Sequence, residues 1–79
     1  MANDRNPQDI IQVGDRVKIF LDSTFWKSEG WFDGRVVRID PYSGHRSFYW
    51  VELDTAVQSA QGGETHLVSV LNPARIVKA

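Results

Sequence analysis

The sequence predicts an all-β domain of five short strands, and three observations carry that expectation. Turn residues recur at short intervals, with apolar residues alternating between them. Helix has almost nowhere to go, since the best stretch, 55–60, is short and runs into Gly62-Gly63. The composition is that of a folded globule: 79 residues, 42% hydrophobic and 24% charged, enough for one domain. There is no cysteine, so disulfides and a Cys-based zinc site are excluded. A domain this small then depends on tight packing or on association with another subunit.

Residues 1–11 are rich in Asn, Asp, Gln and Pro and are expected to form a flexible tail, leaving 12–79 as the domain. The first strand spans 15–21 and is entered through Val13-Gly14-Asp15. Val17, Ile19 and Leu21 fall on one face, and Arg16, Lys18 and Phe20 on the other. A long polar loop around Phe25 and Trp26 ends at Gly30. The second strand spans 31–40, and Gly34 within it predicts a bulge or sharp bend. Its Val37 and Ile39 share one face, Val36 and Arg38 the other. Pro41-Tyr42-Ser43-Gly44 is a turn, because Pro presets φ and Gly accepts a positive one. The third strand spans 47–54, with Tyr49, Val51 and Leu53 facing inward and Phe48, Trp50, Glu52 and Asp54 outward. A polar loop over 55–64 leads to a fourth strand at 65–71. Asn72-Pro73-Ala74 predicts a 3-10 turn before a last strand at 75–78.

Five short strands, a long first loop and a turn just before the last strand give the order of an SH3-like barrel. A five-stranded OB-type barrel has a similar strand count. The closing Asn72-Pro73-Ala74-Arg75-Ile76 favours the SH3-like reading. The opening Val13-Gly14-Asp15-Arg16-Val17 resembles the start of KOW and Tudor-type barrels. Over roughly residues 13–77 the chain also resembles the plasmid-borne, B-type dihydrofolate reductase. Gly14-Asp15-Arg16-Val17 and Phe32-Asp33-Gly34 carry that resemblance. It implies a tetramer whose shared central pore binds folate and NADPH. The pore of that family is lined by Val-Gln-Ile-Tyr, and the matching stretch here is Val68-Ser69-Val70-Leu71, so its Gln and Tyr are replaced by Ser69 and Leu71. A looser resemblance, in the first strand and in residues 23–26, is to the small ferredoxin-docking subunit of photosystem I. It implies a non-enzymatic docking module.

The aromatic residues are the main functional signal. Trp26, Trp31, Phe32, Tyr42, Phe48, Tyr49 and Trp50 lie within 25 residues, more than one small barrel can enclose. Exposed aromatic clusters mark interfaces. Phe20, Phe48 and Trp50 are therefore expected to form a subunit or partner surface, and Trp26, Trp31 and Tyr42 to serve recognition. A cage for a methylated cation is another use of such rings, with Asp54 as its acid. Arg16, Lys18 and Arg38 could form an RNA or DNA surface, although the formal net charge of −1 and the interleaved acids argue for cross-strand pairing. His45 and His66 have no metal-ligand spacing and no evident catalytic partner, and Gly62-Gly63 lacks the lysine and helix of a phosphate loop. The expectation is a non-catalytic binding or adaptor module that self-associates or binds a protein partner, with no cofactor and no metal. The chain shows no membrane span and no apolar signal core, which fits a cytoplasmic location. Two alternatives are an oligomeric reductase-like enzyme with a shared pore and a nucleic-acid-binding barrel.

Overall fold

A computed structural model describes residues 11–44 and 46–79. Of the expected tail, residues 1–10 lie outside the described residues, as does His45. Ile11 is partly buried and packs against the core.

The described chain is all-β. Its elements are β1 (Arg16–Leu21), β2 (Gly30–Pro41), β3 (Ser47–Gln58), β4 (Glu64–Val70), a 3-10 turn (Pro73–Arg75) and β5 (Ile76–Lys78). The strands form one antiparallel sheet in the order β4-β3-β2-β1-β5. β4 and β5 are the two edges of this five-stranded sheet, and among the described residues no ladder joins them. The 3-10 turn stands where the Asn-Pro-Ala stretch predicted it. Asn72 caps it, its side-chain oxygen accepting from the Ala74 N–H at 2.9 Å.

Alternation places the core. Val17, Ile19 and Leu21 of β1, Val36 of β2, Val51, Leu53 and Val57 of β3, Val68 and Val70 of β4, and Ile76 of β5 are buried together. Each such side chain contributes about 1.5–3 kcal/mol when fully removed from water. Trp26, Phe32, Ile39 and Tyr49 are partly buried against this cluster.

Two features of the sheet differ from the sequence reading. The first is the role of Gly34. β2 runs straight through it, and the register shift falls later, between Val36 and Arg38. Val37 is the extra residue, 42% exposed, and after it the faces exchange, so Val36 and Ile39 both turn inward and Val37 does not share a face with Ile39. Gly34 serves a different need. A Cβ there would lie 2.6 Å from the Glu52 carbonyl oxygen and 2.7 Å from Val51 Cγ1. The two strands approach too closely at this point for any side chain.

The second is the length of β3. The polar stretch expected as a loop, with its short helical candidate, continues the strand to Gln58. A wide irregularity permits this, for moving from Glu52 to Val57 on β3 advances only from Leu67 to Thr65 on β4. Asp54 and Thr55 sit exposed in it and break the alternation, while Val57 returns to the core at 4% exposure. β5, by contrast, is short and pairs only with Val17–Ile19. β1 therefore continues through Phe20 and Leu21 with no strand on that side.

Candidate recognition cleft

The free end of β1, the loop that follows it and the 3-10 turn enclose an open cleft of about 270 Å³. Phe20, Leu21, Phe25, Trp26, Val70 and Leu71 supply its apolar walls, and Asp22, Ser69, Asn72 and Arg75 its polar groups. Three of the aromatics predicted from sequence gather here. Trp26 lines the cleft, Phe20 lines it too, and Trp31 meets Phe20 edge to face with ring centroids 5.5 Å apart.

The loop that carries Phe25 and Trp26 is pinned from both sides. At its start the Asp22 carboxylate accepts the Thr24 N–H at 2.9 Å, and the Asp22 carbonyl accepts the Trp26 N–H at 3.2 Å. Further along, the Phe25 carbonyl accepts from the Ala60 N–H at 2.7 Å. The Lys27 N–H donates to the Gln58 carbonyl at 2.9 Å, and Trp26 forms a β-bridge with Ser59. The end of β3, unforeseen in the sequence, is therefore what braces this aromatic loop. Phe25 stays 68% exposed although its backbone is fixed.

Across the cleft, Arg75 joins the 3-10 turn to this loop. Its Nη1 donates to Asp22 Oδ2 at 2.5 Å, and its guanidinium carbon lies 5.6 Å from the Phe20 ring centroid. The hydrogen bond from Arg75, followed by those from the backbone of the loop, holds the Asp22 carboxyl below the usual carboxylate range. Arg75, Asp22 and Phe25 were not singled out by sequence reasoning. Phe25 carried a signal, since a bulky ring among polar loop residues has no strand to place it inside. The pairing of Arg75 with Asp22 spans 53 positions and had none.

The remaining predicted residues lie elsewhere. Tyr42 and Phe48 form an edge-to-face pair with centroids 5.4 Å apart, at the end of the β2–β3 hairpin. Trp50 is opposite Arg38 in the ladder, and both reach Asp40: the indole N–H donates to one oxygen at 3.1 Å and Arg38 Nε to the other at 2.8 Å. Tyr42 is 63% exposed, while Phe48 and Trp50 are half-buried. Each basic residue considered for nucleic acid faces a carboxylate. Arg16 forks onto both oxygens of Asp54, at 2.9 and 2.5 Å, and Lys18 stands 3.8 Å from its cross-strand neighbour Asp33. Asp54, named as the acid of a cation cage, is engaged by this arginine, whose hydrogen bond holds its carboxyl below the usual range. His66 Nδ1 lies 3.1 Å from the Leu53 carbonyl oxygen, a bond between neighbouring strands.

In the stretch compared with the reductase pore, Val68 and Val70 belong to the core, while Ser69, Val70 and Leu71 border the cleft. Among the described residues no three His, Cys, Asp or Glu side chains come together as a metal site. No helix in the described residues is long and apolar enough to cross a membrane.

Fold and cleft together define a small antiparallel β domain with a braced aromatic loop. The chain matches no protein-family model, no curated protein and no solved structure.

Proposed function

We propose that the chain is a non-catalytic binding module and that the cleft beside Phe25, Trp26 and Arg75 is where it holds its partner. One observation carries this reading. An aromatic surface is kept open to solvent on a loop whose backbone is fixed by four hydrogen bonds. Preordering lowers the entropy cost of binding, and rings pinned beside a concave apolar floor are the usual anchors of recognition. The chemistry on the walls suits holding rather than reacting. The Asp22 carboxylate that lines the cleft is engaged by Arg75 and the Thr24 N–H rather than free to act as a base.

A selection from a library of random linear peptides tests the reading. Peptides that bind should shift the backbone amide resonances of residues 20–26 and 69–75. Their affinity should fall with Phe25→Ala and Trp26→Ala and hold with Tyr42→Ala. Binders that map instead to the Tyr42 side of the domain would overturn it.

Self-association belongs to the same reading but to a different surface, the Tyr42, Phe48 and Trp50 group of the β2–β3 hairpin. The nucleic-acid alternative gains nothing from the geometry, because Arg16, Lys18 and Arg38 are each matched by a carboxylate and add no net positive surface for a phosphate backbone.

A further inference from the structure

We infer that the cleft takes the C-terminal residue of a partner chain, its apolar side chain against Phe20, Phe25 and Trp26 and its α-carboxylate at Arg75. This rests on the reading of the cleft as the recognition site and adds the chemistry of what enters it.

The cation of the cleft has more donors than bonds. Each oxygen of the Asp22 carboxylate accepts one bond, Oδ1 from the Thr24 N–H and Oδ2 from Arg75. Arg75 keeps donors in excess. A guanidinium has five N–H donors, and among the described residues its one hydrogen bond is the bond from Nη1 to Asp22. Its side chain is 41% exposed, so those other donors are reachable. Asn72 stands beside it, its side-chain oxygen accepting the Ala74 N–H and its amide NH₂ adding two donors. The donors of Arg75 and Asn72 thus border an apolar floor, where an acceptor attached to an apolar group can meet them. A carboxylate makes stronger bonds to a guanidinium than a neutral carbonyl does.

Two further observations favour a chain end over a free small acid. At about 270 Å³ the open cleft lies just below the roughly 300–1,000 Å³ of sites that enclose a whole ligand, so an occupant extends beyond it. It also lies beside Phe20 and Leu21, the part of β1 that β5 leaves unpaired. Strand edges of this kind accept an extended peptide through backbone hydrogen bonds, and capture of a terminal carboxylate is a recurrent recognition mode.

The test uses the full chain and two synthetic pentapeptides, Gly-Ser-Gly-Val-Phe with a free C-terminus and the same sequence with a C-terminal amide. The free acid should shift the amides of residues 20–26 and 72–75 and bind at least about tenfold more tightly than the amide. Arg75→Gln should bring the two peptides to equal affinity. Because that change also removes the tie between turn and loop, Asp22→Asn is the second variant. Asparagine keeps an oxygen for the Thr24 N–H but removes a competing negative charge, so the ratio of free-acid to amide affinity should rise. Equal binding of acid and amide at the cleft overturns the inference while the cleft remains the recognition site. Failure of both peptides to move these amides also overturns it, and the library selection then decides the fate of the cleft separately.

Discussion

Gly34 illustrates how one residue answers to its neighbours rather than to its own strand. The sequence suggests a bend, yet β2 passes through it without irregularity, and the constraint comes from β3. Gly34→Ala places a methyl group against backbone, the Glu52 carbonyl, which cannot swing away. The expected cost is about 1–3 kcal/mol, the range for overfilling a packed site, read as a lower urea midpoint with an unchanged slope. The same test at Gly14 separates two reasons for glycine. Nothing lies within 4 Å of a Cβ there, but φ is +96°, in the left-handed region. Gly14→Asn should therefore be milder than Gly14→Val, since Asn tolerates that region and a β-branched side chain does not. Comparison of the two urea midpoints checks the order.

At the scale of elements, carboxylates join the loop after β1 to the 3-10 turn and β3 to β1, and this gives stability a pH signature. Asp22 is bonded by Arg75 and Asp54 by Arg16, and both carboxyls lie below their ordinary value in the folded protein. A group depressed on folding adds stability above its unfolded pKa and loses it as pH falls through the folded one. Thermal midpoints should thus hold steady above about pH 4, the ordinary aspartate value, and drop below it. Asp22→Asn and Asp54→Asn should each lower the midpoint at neutral pH and flatten the acid decline. If the decline keeps its full steepness in both variants, these pairs are not its source.

The same elements show what could be read from sequence. β1 was legible because Val17, Ile19 and Leu21 keep strict period two, and so was the Asn72 turn, where a capping side chain and proline act locally. The extension of β3 was not, since Asp54 and Thr55 are exposed in a register shift that only β4 defines. Of the cleft, the rings of Phe20, Trp26 and Trp31 were foreseeable as excess aromatic residues. Their assembly was not, because it depends on Ala60 meeting Phe25 and Arg75 meeting Asp22, contacts between distant segments.

For the whole molecule the open question is how a domain with so small a core is used. Its aromatic residues divide into two groups, to which the proposed function gives different tasks. Phe20, Phe25 and Trp26 line the cleft, with Trp31 against Phe20, whereas Tyr42, Phe48 and Trp50 lie on the β2–β3 hairpin. The hairpin group has the properties of a subunit contact. Tyr42 is exposed beside half-buried Phe48 and Trp50, Trp50 is held in orientation by Asp40, and the net charge of −1 gives copies of the chain little mutual repulsion. Light scattering over a dilution series should therefore return more than the monomer mass at high concentration. Phe48→Glu, which sets a charge in the contact, should return the monomer at every concentration, because an unpaired charge is costly to bury. Phe25→Ala should leave the mass untouched while weakening peptide binding. A wild-type chain that is monomeric throughout would remove self-association from the reading and leave the hairpin rings covered by their own side chains. Equal loss of mass in both variants would mean that the two aromatic groups form one continuous surface rather than two.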